Sequence, residues 1–209
     1  MKRIEHNEEK WIFPFLEYVP ENGGENLPLV VQLHGAGERG YGKKDLDLLD
    51  VHGFSHILKE GEFPCRVVMP QCPKDTFWVA RIESIHTFID QIMEEFSVDA
   101  DRVSLTGMSM GGFGTWFTAM AKPKRFAAIA PICGGCMPWN SGIIKKLPIW
   151  AFHGEDDHVV DVHYSRDMVE KLQSIGGNVK FTCYEGVRHN SWLYACNREL
   201  LEWLIGHKR

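Results

Sequence analysis

The sequence predicts an α/β domain built on one mostly parallel sheet with helices on both faces. Three observations predict it. Short apolar runs of strand length recur at 29–33, 65–69, 103–105, 126–130, 147–152 and Val179–Tyr184, each ending near Gly, Pro or polar residues. Stretches of helical period lie between them. The runs are almost continuously apolar, the pattern of strands buried on both faces by crossover helices.

Taken in order, residues 11–19 precede the first parallel run and predict an antiparallel edge strand. Ile82, Ile85, Ile89, Ile92 and Phe96 recur three and four apart, with Glu83, Asp90, Glu94 and Glu95 on other faces, which predicts an amphipathic helix. A further helix is expected from Gly112 toward Ala121. Tyr164, Met168, Val169, Leu172 and Ile175 predict another, ending at Gly176-Gly177 where a left-handed cap costs little. A last helix is expected over 192–205. No Pro/Ser-rich linker, repeat or low-complexity tract divides the 209 residues, so residues 1–209 are expected to form a single domain.

Composition narrows the function classes. Lys and Arg number 23 against 28 Asp and Glu, a net charge of −5, and supply no basic field for a phosphate backbone; a nucleic-acid partner is not expected. No run approaches the ~20 apolar residues of a membrane span. After Lys2 and Arg3, the place of a signal peptide's apolar stretch holds Glu5, His6, Glu8, Glu9 and Lys10. The six cysteines then read as reduced thiols, and a cytoplasmic location is expected. Oligomeric state has no sequence signal.

Chemistry concentrates at Gly107-Met108-Ser109-Met110-Gly111, a G-x-S-x-G between an apolar run and an expected helix. A serine hydroxyl becomes a useful nucleophile when a sharp strand-to-helix turn exposes it to a base, and flanking glycines allow that turn. An acid and a histidine should follow, each just beyond a strand. The run 147–152 leads into Glu155-Asp156-Asp157, and Val179–Tyr184 leads into His189. Each separation leaves room for a helix, so Ser109, Asp157 and His189 can converge on one sheet edge as nucleophile, orienting acid and general base. Asp156 and Glu155 remain rivals for the acid. Two backbone N–H groups are expected to hold the oxyanion, from Met110 and from Ala36 in the small-residue loop His34–Gly40. That loop lacks the endings of a phosphate cradle.

Trp78, Trp139 and Trp192 fall in expected loops and are candidate substrate contacts, with core packing the alternative for each. Cys133 and Cys136 have C-x-x-C spacing without a second pair, and His52 and His56 lack the Glu of a zinc-protease motif, so neither a metal nor another cofactor is expected.

Three segments together resemble the α/β-hydrolases, and within them the small cap-less serine esterases of phospholipase/carboxylesterase, feruloyl-esterase-like and polyhydroxybutyrate-depolymerase-like type. They are Leu33-His34-Gly35-Ala36-Gly37-Glu38-Arg39-Gly40, the stretch from Asp101 to Gly112, and His153-Gly154-x-x-Asp157-x-x-Val160, with His189 and Trp192 completing the likeness. The resemblance implies a triad of Ser109, Asp157 and His189, oxyanion donors at Ala36 and Met110, reduced N-terminal strands and no cap domain. It implies a carboxylic ester hydrolase. The same parts could serve a peptidase or an acyl-protein thioesterase, or persist in a binding module of the same fold that has lost catalysis.

Overall fold

The computed structural model describes residues 1–209, and its framework is a single eight-stranded sheet. Its strands are β1 (Lys2–His6), β2 (Phe15–Val19), β3 (Leu27–Leu33), β4 (Arg66–Pro70), β5 (Val98–Met108), β6 (Ala128–Ile132), β7 (Ile149–Gly154) and β8 (Val179–Tyr184), in the spatial order β1-β2-β4-β3-β5-β6-β7-β8. β2 pairs antiparallel with β1 and β4; every pairing from β4 to β8 is parallel. No helix is long and apolar enough to cross a membrane.

The helices are α1 (Ser55–Glu60), α2 (Ile82–Glu95), α3 (Met110–Ala121), α4 (His163–Ser174), α5 (Trp192–Ala195) and α6 (Arg198–Gly206). Two apolar clusters sandwich the sheet. Ile85, Ile89 and Ile92 of α2, Trp116 of α3 and Met168 and Leu172 of α4 pack on one face, with Leu29, Val31 and Leu105. Leu58 of α1 and Leu200, Leu201 and Leu204 of α6 pack on the other, with Val30, Ala128 and Ala130. Alternate residues of β3 thus feed both cores, which is why its sequence is apolar but for Gln32, whose side chain accepts from the Phe54 N–H. The chain leaves β3 toward the α1 face and leaves neighbouring β5 toward the α3 face. In an open α/β sheet, the crevice beyond the carboxyl ends of two such strands is where ligands bind.

Four expectations need correction. The run 11–19 is not an edge strand: its regular part is β2, buried at every residue, and the polar β1 covers it. The N-terminal strands are short, five residues each, and there are two of them, β1 and β2, where the sequence predicts one. β6 begins two residues later than the apolar run, whose first residues Phe126 and Ala127 are buried ahead of the strand. The helix expected over 192–205 is two helices, because Asn197 interrupts it and its side chain accepts from the Leu200 N–H to cap α6. All six cysteines are free.

Candidate active site

Ser109 sits between β5 and α3 with φ 54° and ψ −117°, a conformation that L-residues avoid and that lifts the side chain out of the turn. The glycines explain how the turn closes. A Cβ on Gly107 would strike the carbonyl of Gly111, and one on Gly111 would strike the carbonyl of Leu33 at the end of β3. The elbow is therefore packed directly on the neighbouring strand, and larger residues at either position would force it away.

The acid and base arrive on two adjacent loops. β7 pairs with β8 to its last residue, and a Cβ on Gly154 would collide with the backbone of Val187 and Arg188. Glu155 and Asp156 donate their N–H groups to Tyr184 and Val187 at 2.9 and 3.0 Å, clamping the loops together. Asp157 is the acid of its cluster that turns inward; it is 5% exposed, whereas Glu155 and Asp156 face solvent. Its Oδ1 accepts from the N–H groups of Val159 and Val160, both at 2.9 Å, and its Oδ2 lies 2.8 Å from His189 Nδ1. His189 Nε2 lies 2.9 Å from Ser109 Oγ. Burial acts to raise the Asp157 pKa, but the bonds from His189, Val160 and Val159 outweigh it and hold the carboxyl below its ordinary range. Asp157 is thus an anion near neutral pH, and it fixes the proton of neutral His189 on Nδ1, leaving Nε2 to accept from Ser109.

The loop after β3 closes the other side. Gly35 lies against the nucleophile: the point where its Cβ would stand is 3.8 Å from Ser109 Cβ. Ala36 and Met110 each begin a helical turn, so their N–H groups have no intrahelical acceptor, and no other bond takes them. Arg39 Nε grips the Ala36 carbonyl at 2.9 Å and Gln71 Nε2 grips that of Glu38 at 3.0 Å. His34 accepts the Cys72 N–H on Nε2 at 2.9 Å, and burial lowers its pKa to about 4, so it stays neutral.

The sequence-predicted tryptophans divide. Trp78 does not reach the cleft: it is fully buried, and its Nε1 donates to the His34 carbonyl at 3.0 Å. An apolar ring beneath the loop is worth more to the core than to the rim. Trp139 is 75% exposed in the short helical turn Pro138–Ile144, and Trp192 stands edge-on to His189 with ring centroids 5.2 Å apart. That turn is the main structure between β6 and β7, so no helical lid covers the site.

His153 was visible only as part of a motif, yet its Nε2 lies 3.3 Å from Asp157 Oδ2 and 2.9 Å from the Val160 carbonyl, tying the acid's loop to β7. Cys133, Asp157 and His189 bring potential metal ligands within 4.8 Å of one another. Burial pushes the Cys133 thiol up to about 12, and Ser109 takes His189 Nε2, so the set is a poor fit to a metal that needs a thiolate and free imidazole nitrogen.

Comparison with known proteins shows the family. The family model described as Phospholipase/Carboxylesterase matches residues 63–198. A bifunctional acetylxylan esterase/xylanase of Neocallimastix patriciarum is 32% identical over 148 residues, covering 69% of this chain and 21% of that protein. An acyl-protein thioesterase 1 of Candida albicans is 23% identical, covering 83% of this chain and 89% of that one. A solved thermostable esterase superposes over 100% of this chain and 63% of its own, with TM-score 0.82 and 33% identity. A feruloyl esterase module of Clostridium thermocellum, at TM-score 0.68 and 17% identity, shares the fold. The chain spans a fifth to about half the length of several curated relatives it matches.

Proposed function

Because the chain belongs to the phospholipase/carboxylesterase family, we propose that it hydrolyses carboxylic esters through an acyl-enzyme on Ser109. The observation that carries the reading is the continuous hydrogen-bonded line from Asp157 through His189 to Ser109, with two unpaired N–H groups beside it. Ser109 Oγ attacks the ester carbonyl as its proton passes to His189 Nε2. The carbonyl oxygen becomes an anion and accepts from Ala36 and Met110, the latter at the positive end of α3. Collapse expels the alcohol, which takes its proton from His189. Water then attacks the acyl group with His189 again as base, releasing the acid and restoring Ser109.

The absence of a lid favours a second substrate within the same chemistry. A thioester on a large carrier could present its acyl end to a site without a helical lid, and a thioesterase is among the relatives that match most of this chain. Nothing in the geometry favours an inactive binding module, which has no need of an aligned base. The test is hydrolysis of p-nitrophenyl esters of increasing acyl length, beside matched thioesters, by the native chain and by Ser109→Ala with circular dichroism as a fold control. Turnover by the native chain and its loss in a folded Ser109→Ala are expected. Undiminished turnover in that variant would sink the reading.

A further inference from the structure

A second histidine–carboxylate pair stands at the same end of the sheet, apart from the Ser109 line. Glu38, on the loop after β3, is buried, and its Oε1 lies 2.6 Å from Nδ1 of His52. A carboxylate only accepts, so Nδ1 carries a proton, and in the neutral tautomer that this selects the lone pair lies on Nε2. That nitrogen has no hydrogen-bond partner and is not among the buried polar atoms, and the side chain is 32% exposed. The ring therefore cannot turn away from Glu38 without stranding a carboxylate, and it holds an acceptor open to solvent.

Its direction from the reacting centre is fixed by packing. The His52 ring stands edge-on to Trp192 at 5.3 Å between centroids, and Trp192 stands edge-on to His189 at 5.2 Å. Across the loop, Glu38 Oε2 lies 3.1 Å from the point where a Gly35 Cβ would stand, and Ser109 Cβ lies 3.8 Å from the same point. The leaving alcohol must face His189 to collect its proton. The indole of Trp192 packs against both imidazoles, so an alcohol skeleton lying on that indole has His52 beside it.

Resting on the ester-hydrolase reading, we propose that His52 Nε2 accepts a hydroxyl of the alcohol part, so that the preferred substrates are esters of polyhydroxylated alcohols such as glycerol or a sugar. Trp192 supplies an apolar face for the carbon skeleton, and Glu38 holds the acceptor in one tautomer. A purely structural pair, holding the loop to the turn that carries His52, would not distinguish one alcohol from another.

The experiment compares kcat/KM for glycerol 1-monobutyrate and ethyl butyrate, which share an acyl group, in the native chain and in His52→Phe, which keeps a ring against Trp192. The ratio of the two values is expected to fall roughly three- to tenfold, the worth of one neutral hydrogen bond. Should the single variant fail to fold, Glu38→Gln/His52→Phe leaves no unpaired carboxylate and is expected to show the same fall. An unchanged ratio with both esters turned over would overturn this proposal alone. No turnover of either ester by the native chain would overturn it together with the ester-hydrolase reading.

Discussion

Asp157–His189 and Glu38–His52 are built from the same parts, a buried carboxylate and an imidazole bonded through Nδ1 at 2.8 and 2.6 Å, and both imidazoles pack edge-on to Trp192. They differ in what surrounds each end. Asp157 receives the N–H groups of Val159 and Val160 as well as His189, whereas Glu38 Oε2 has no hydrogen-bond partner and lies 3.8 Å from His34 Nδ1. His189 Nε2 meets a serine held at φ 54°; His52 Nε2 meets solvent. A histidine–carboxylate pair is thus not itself a reactive unit. On the proposed reading, the strained turn that delivers a hydroxyl to Nε2, with free N–H groups beyond it, makes one pair a base and leaves the other an acceptor.

The largest expected effect breaks the pairs apart by rate. Asp157→Asn should lower kcat on p-nitrophenyl esters by about 10⁴, because an amide can stabilise the wrong tautomer of His189 and leave Nε2 unable to accept. Glu38→Gln should cost at least ~100-fold less. Equal losses would mean that both pairs serve the chemical step, contrary to the contrast drawn between them.

A smaller effect separates the two walls of the site by stability. Trp78→Ala should cost about 3–5 kcal/mol in urea denaturation, since it empties the core beneath the His34 carbonyl. Trp139→Ala, on an exposed turn, should stay within about 0.5 kcal/mol. Comparable losses would show that the turn between β6 and β7 is as structural as the loop after β3.

The smallest effect is on pH. His34 is neutral in the fold down to about 4, against an ordinary value of 6.5. Between those values the unfolded chain binds the extra proton, so stability attributable to His34 is full above pH 6.5 and falls as pH drops toward 4, by an amount of order 3 kcal/mol. His34→Gln, whose amide oxygen can still accept from Cys72, should flatten that decline in urea midpoints measured from pH 7 to 4. An unchanged slope would remove His34 from the account of the loop.

The sequence made the Ser109 line legible because each member follows an apolar strand, and the order serine, acid, histidine survives any loop length. It also separated strands from helices wherever periodicity was strong, as in α2. β1 escaped because an edge strand facing solvent, Lys2 to His6, carries no apolar pattern. The break at Asn197 escaped because apolar periodicity runs on across a cap. Trp78 misled because a loop position says nothing about which way a ring turns. The His153-Gly154-x-x-Asp157 pattern favours Asp157, while spacing alone leaves Asp156 and Glu155 as rivals; in the fold those two face solvent and Asp157 turns inward. Glu38 and His52 form a pair only through a non-repeating turn, and spacing alone does not reveal such contacts.

The most direct measurement is labelling of the native chain with a fluorophosphonate, followed by peptide mass mapping, with and without prior replacement of His189 by Ala. The account predicts a single phosphonyl adduct on Ser109 in the native chain and its near-complete loss in His189→Ala, because the hydroxyl is activated only through that imidazole. Absence of the adduct from folded native protein, or equal labelling in both, would contradict it.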